Sequence, residues 1–300
     1  MNGQEWTDKA VALVPAESTC AADDYRRANA DIIHKTIGGI GVDSGSKHPR
    51  AGVRIVYNLS AAHVGAVLEF GYKNCYALEV AGKNAVGERQ ERKVSAKRRA
   101  IDAAIAAVAS PTAPPDPSAL HYGALELNGT GVRYYGDMCL VLRAQCADED
   151  TLVLYRNSYD LERPPIGPRI AGDAGKRRIE AEQLAGRWLN LPDMAICKIL
   201  DGAPAPPRLM TGGMISAALL ADEDFMEVPR VKSFGAADIA EMRTSASDVA
   251  AEARIADRLA RGPTPSLAEL LWRDRRREAE RAAAKSNIPV RVVTTPGRVR

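Results

Sequence analysis

Four histidines, five cysteines and two glycine-rich stretches are the residues from which this chain could build a familiar reaction centre. His34, His48, His63 and His121 have no metal-ligand spacing, and no H-E-x-x-H motif occurs. Cys20, Cys75, Cys139, Cys146 and Cys197 are odd in number, irregularly spaced and without a C-x-x-C pair. Neither a zinc site nor a disulfide framework is expected, and no metal is assigned. Cys139 and Cys197 lie in apolar stretches and are expected to be buried, reduced thiols. The stretch from Gly38 to Lys47 ends in Gly45-Ser46-Lys47, which invites a phosphate-loop reading. It lacks the G-x-x-x-x-G-K-[ST] order and no strong strand precedes it, so a plain linker is expected. There is no G-x-S-x-G nucleophile motif. Thr211-Gly212-Gly213-Met214 can aim backbone N–H groups at an anion from a helix start, but a flexible turn is the simpler reading. No motif decides the chemistry by spacing alone, so it has to come from ordinary polar residues gathered by the fold.

The elements that would gather them follow from hydrophobic period and punctuation. Residues 21–35 suit a short helix carrying Ile32 and Ile33. Val53–Asn58 is a β-branched run and predicts a strand; Ser60 then caps a helix that ends at Gly71. Residues 91–109 predict a helix with Val94, Ile101, Ile105 and Val108 on one face and its Lys and Arg residues mainly off it. A stiff PTAPPDP connector follows. Tyr122–Leu127, Met138–Arg143 and Thr151–Arg156 are short β-prone runs separated by turn residues. Arg177–Leu191 predicts a helix, Met194–Leu200 a strand, GAPAPP a loop, and Phe225–Val231 a core strand in which Pro229 marks an edge or bulge. Ala236–Arg261 is expected to be helical. Ser266-x-x-Glu269 is a capping box for a further helix to about Lys285, and Ile288–Val293 could add a stray strand.

The order of these segments carries more than any one of them. Arg54 lies in the opening strand, and the Gly71-Tyr72-Lys73-Asn74 segment follows its helix. Then come HYGALEL (His121–Leu127), YYGDMCLVL (Tyr134–Leu142), TLVLYRNS (Thr151–Ser158) and DFMEVPRVKSFGAADI (Asp224–Ile239). The succession resembles a bacterial family of toxins and effectors with an ADP-ribosyltransferase-like core, over roughly residues 52–242. The resemblance implies an α+β fold: a split antiparallel β-sheet core, peripheral helices and a helical C-terminal segment. It divides the chain into a lead (1–50), a core (51–235) and a basic helical segment (236–300). It implies NAD as substrate, bound between two small sheets. Arg54 would hold the ribose and phosphates, Ser158 would support the nicotinamide ribose, and Glu227 would stabilise the oxocarbenium-like transition state. Tyr122, Tyr134 or Tyr135 would stack on nicotinamide. The pattern departs from arginine-directed members: Phe225 stands where they carry Glu or Gln two residues before the late glutamate, and Ser158 is a lone hydroxyl rather than Ser-Thr-Ser. A catalytically inactive binding protein with the same fold is the alternative. The target is expected to be a protein, of unknown identity.

Composition limits the remaining classes. The 300 residues are 46% hydrophobic and 26% charged, close to globular averages, so wholesale disorder is not expected. The longest apolar run, residues 214–221, is interrupted by Ser216 and is far short of the roughly 20 residues a membrane helix needs. The first 17 residues lack the pattern of a Sec-type signal peptide, so the chain is expected to act in a cytoplasm, its own or that of a cell into which it is delivered. The net charge of +3 is uneven: residues 254–300 hold 12 basic and 5 acidic residues, while the rest is net acidic. Nucleic acid is a disfavoured partner of the whole. A third reading gives the tail, through Arg273, Arg275, Arg276, Arg277, Arg281 and Lys285, an anionic partner. A solvated helix face is the simpler account.

Overall fold

The computed structural model describes residues 3–17, 20–38, 52–83, 89–110, 112–161, 174–201, 208–220 and 224–294. Two helices come first, α1 (Gly3–Leu13) and α2 (Ala21–Gly38), then strand β1 (Arg54–Leu59) and α3 (Ala61–Phe70). A hairpin of β2 (Val80–Lys83) and β3 (Arg89–Arg92) leads into α4 (Ala96–Ala109). β4 (His121–Glu126), β5 (Met138–Leu142) and β6 (Leu152–Leu154) follow, then α5 (Ala174–Leu184), β7 (Ala185–Arg187), α6 (Leu191–Leu200) and α7 (Gly212–Leu219). The chain closes with β8 (Glu227–Arg230), β9 (Ile239–Ser245), α8 (Ala246–Arg261), α9 (Leu267–Lys285) and β10 (Val290–Val293).

The architecture is α+β. Eight strands form one open sheet in the order β10-β9-β5-β1-β4-β8-β6-β7, antiparallel at every junction except β10 on β9. Where a split core was expected, the two halves remain one sheet, joined between β1 and β4 by three residue pairs. The strand period of two sorts the core. Ile55, Tyr57, Leu59, Leu125, Met138, Leu140 and Val228 point to one face and pack with Trp6, Ile33, Val64, Met194 and Ala283 from the helices. Val56, Ala124, Cys139 and Val141 point to the other face, beside Phe225 and Leu220. At the β6 end of that second face, Leu152 and Leu154 meet Ile101 and Ile105 of α4. Cys139 and Cys197 are buried free thiols, as expected.

Most expected strands and caps are present. Ser60 accepts the Ala62 N–H at the start of α3, and Gly71, at φ 79°, ends that helix. Ser266 and Glu269 form the capping box of α9. Three elements differ. The helix expected over Arg177–Leu191 stops at Leu184, and Ala185–Arg187 is the strand β7, because pairing with β6 draws that segment into the sheet. Met194–Leu200 is helical, because the segment is apolar on nearly every side, Lys198 apart, and the Leu191-Pro192 start, with Pro192 in the first turn, favours a helix. Ile239–Ser245 is a strand inside the expected C-terminal helix: it is buried almost throughout and paired to β5 and β10, so sheet burial overrides the alanine-rich context. Thr211 is an N-cap rather than part of a flexible turn; its hydroxyl accepts the Met214 N–H. The glycine-rich stretch beyond Gly38 and the GAPAPP loop lie outside the described residues. No described helix is long and apolar enough to cross a membrane.

Candidate active site

β1 and β4 run together only from Arg54–Glu126 to Val56–Ala124. Beyond that point Tyr57–Leu59 pair with β5 and His121–Gly123 with β8. A cleft of about 260 Å³ lies where the two strands part, with Val56, Tyr57 and Asn58 on one side and Tyr122, Gly123 and Ala124 on the other. Gly123 is required by this parting. A Cβ there would lie 2.7 Å from Ile55 Cγ2 and 3.0 Å from the Tyr57 ring, so a larger residue would push Tyr57 out of the wall.

Glu227 opens β8 on the second face of the sheet, opposite Ala124 of β4 and Leu154 of β6. It is 4% exposed and lines the cleft. The turn after β6 supplies its partner. Asn157 caps that turn by accepting the Tyr159 N–H at 3.0 Å, which leaves the Ser158 N–H pointing inward to donate to Glu227 Oε2 at 2.9 Å. Burial pushes the Glu227 carboxyl above the usual carboxylate range; Arg98 and the hydrogen bonds from Ser158 pull it back, and Asp102 adds to the push.

Arg98 comes from the first turn of α4. Its guanidinium lies 3.8 Å from the Tyr122 ring centroid, donates to Ser158 Oγ at 3.3 Å and pairs with Asp102 at 2.6 Å. Asp102 is fully buried and also accepts from Tyr122 Oη at 2.5 Å and Tyr76 Oη at 2.7 Å. The cation and the two carboxyl groups leave this end of the cleft without surplus positive charge, a setting suited to a ligand that is cationic or becomes so. Tyr135, Tyr159 and Phe225 supply aromatic wall. Cys75 also lines the cleft, but burial raises its thiol, which keeps it in its less nucleophilic form.

Of the residues singled out from the sequence, Glu227, Ser158, Tyr122 and Tyr135 come together here. Arg54 does not: it stays at the paired end of β1, half-buried, with Nη1 donating to Val53 O at 3.3 Å, outside the lining. Tyr134 is 62% exposed and meets the wall through an edge contact with Tyr135. The basic residue of the cleft is Arg98, which the helical pattern had grouped with the off-face charges. A signal for it existed: Arg98 and Asp102 stand four residues apart, and Asp102 adjoins Ile101 in an otherwise apolar stretch. Among the described residues no cluster of His, Cys, Asp or Glu could hold a metal ion. Comparison with family models, with characterised proteins and with solved structures finds no match.

Proposed function

We propose that the chain is an ADP-ribosyltransferase-like enzyme that cleaves the nicotinamide–ribose bond of NAD in this cleft and passes ADP-ribose to a target. The observation that carries the reading is Glu227: a buried carboxyl group at the parting of two antiparallel strands, held by the Ser158 N–H and flanked by tyrosines. In the reaction the glycosidic C–N bond breaks and its electron pair leaves with neutral nicotinamide. The ribose becomes oxocarbenium-like, and the Glu227 carboxylate stabilises that charge and accepts a hydrogen bond from the ribose 2′-hydroxyl. A nucleophile on the target, or water, then bonds to the anomeric carbon and loses its proton. Tyr122 or Tyr135 stacks on the departing ring. Arg98, rather than Arg54, is the cation of the cleft, and its part is to favour the charged form of Glu227. Phe225 lines the cleft two residues before Glu227, which speaks against an arginine acceptor.

The test is nicotinamide release from NAD by the full chain. Glu227→Gln is expected to lower the rate by about 10²–10³-fold while NAD binding survives. Equal rates for both proteins would sink the reading, and NAD binding without release by the wild type would favour the inactive binding protein instead.

A further inference from the structure

Asp102 has no part in that mechanism, yet it is a fully buried carboxyl group on a helix whose neighbouring positions Ile101, Ile105 and Val108 are core. Such a group is costly to bury unless it is fully engaged. It is engaged three times, by Tyr76 Oη, Tyr122 Oη and the Arg98 guanidinium. Both tyrosine rings lie against arginines of α4: Tyr122 carries Arg98 on its face, and Tyr76 carries Arg99 at 5.2 Å. The guanidinium of Arg98 is thereby fixed at two ends, with Asp102 at Nη2 and Ser158 Oγ at Nη1. Ser158 in turn holds Glu227. An unbroken line of contacts runs from Tyr76 through Asp102, Arg98 and Ser158 to the carboxyl group at the base of the cleft.

We propose that Asp102 is a positioning residue: it anchors the Arg98 guanidinium against Ser158 and divides the charge that Arg98 presents to Glu227. The inference rests on the reading of Glu227 as the reacting carboxylate. The groups within electrostatic reach of Glu227 are Arg98 and Asp102 from α4, Tyr122 from β4, Tyr57 from the other face of β1, Tyr135 from the turn before β5, and Ser158 after β6. Of these, Arg98 favours the charged form and Asp102 opposes it. With Asp102 made neutral, Glu227 is the carboxylate left beside Arg98 in this set, and its ionisation becomes easier.

The sign decides the experiment. A carboxyl group harder to ionise in the folded than in the unfolded chain contributes stability that is complete at low pH and is lost as pH rises through its folded pKa. Glu227→Gln removes that loss, so its stabilisation relative to wild type grows from about pH 5 to about pH 8. The growth is measured by thermal melts in the wild-type and Asp102→Asn backgrounds. It is expected to be at least roughly two-fold smaller in the Asp102→Asn background. Equal growth in both backgrounds overturns the proposal. Asp102→Ser, which removes the same charge from a smaller side chain, takes its place if Asp102→Asn does not fold. Asp102→Glu, which keeps the charge, is expected to restore the wild-type growth. In parallel, the acid limb of nicotinamide release moves to lower pH in Asp102→Asn. A wild type that releases no nicotinamide but shows the difference in melts defeats the proposed reaction and leaves the positioning role standing. Release from NAD with equal growth does the reverse.

Discussion

His121 and Glu227 sit on neighbouring strands and respond to pH in opposite senses. His121 begins β4, 8% exposed, opposite Arg230 of β8 and with its ring 5.9 Å from that of Tyr72. Burial lowers its pKa, so the folded chain holds this proton less tightly than the unfolded chain does. Its contribution to stability is therefore complete above the ordinary imidazole value and is lost as pH falls through the lower folded value. Glu227 loses its contribution in the other direction, as pH rises. His121→Gln is expected to flatten the decline of melting temperature on the acid side by a few degrees and to leave the alkaline side unchanged. Thermal melts on both sides check it, and an acid-side decline equal to that of the wild type would show that His121 is not the group responsible.

At the scale of elements, the site depends on how β1 ends. Gly136, at φ 157°, lies so close to the β1–α3 corner that a Cβ there would be 1.9 Å from Leu59 C. Its carbonyl accepts from Asn58 Nδ2 at 3.1 Å, and the neighbouring Asp137 accepts the Ala61 N–H at 3.0 Å. The Tyr-Tyr-Gly-Asp turn thus clamps the strand whose Tyr57 and Asn58 wall the cleft. Gly136→Ala must displace backbone rather than a side chain, so a loss of about 3 kcal/mol or more is expected by urea unfolding. A loss below about 1 kcal/mol would mean the corner yields easily. This turn also shows what the sequence makes legible. Short strands bounded by turn residues, such as Tyr122–Leu127 and Met138–Arg143, and caps such as Ser60 and Ser266 are local signals, and they match the observed elements to within a residue. Met194–Leu200 and Ile239–Ser245 are not local: the first is a run too apolar, Lys198 apart, for its period to be read, and the second is a strand because β5 and β10 flank it. The site divides the same way. Glu227 and Ser158 are recognisable by order along the chain, whereas Arg98 reaches them from a helix about sixty residues earlier than Ser158: its spacing from Asp102 marks a pair on that helix but not what the pair packs against.

At the scale of the whole molecule, the basic C-terminal segment is built into the sheet rather than hung from it. β9 and β10, both beyond residue 235, extend the same sheet as the cleft, and α9 packs along α3 through Ala279 and Ala283. Arg276, one of the cations considered for phosphate contact, is fully buried. It pairs with Glu252, with Asp137 at 3.1 Å and with Thr244 Oγ1 at 2.5 Å, beneath the ring of Trp272. Arg133 adds a two-pronged bond to Asp248 at 2.7 and 2.8 Å. One guanidinium therefore joins α8, α9, β9 and the Asp137 turn that clamps β1, so the tail and the cleft share a support. Removing it leaves Glu252 and Asp137, both partly buried, without their cation and empties the space of a fully buried side chain, which costs about 3 kcal/mol. Arg276→Ala is expected to lose that much stability and to speed hydrogen exchange in β9 and β10. The exposed neighbours Arg275 and Arg277 are expected to change stability by about 0.5 kcal/mol or less on replacement by alanine. Added salt should rescue little of the Arg276→Ala loss, because the charges it strands are partly buried, where counterions screen less well than at the open surface. Equal effects at all three arginines would mean that the segment is held by its apolar contacts alone and that the support shared with the cleft does not exist.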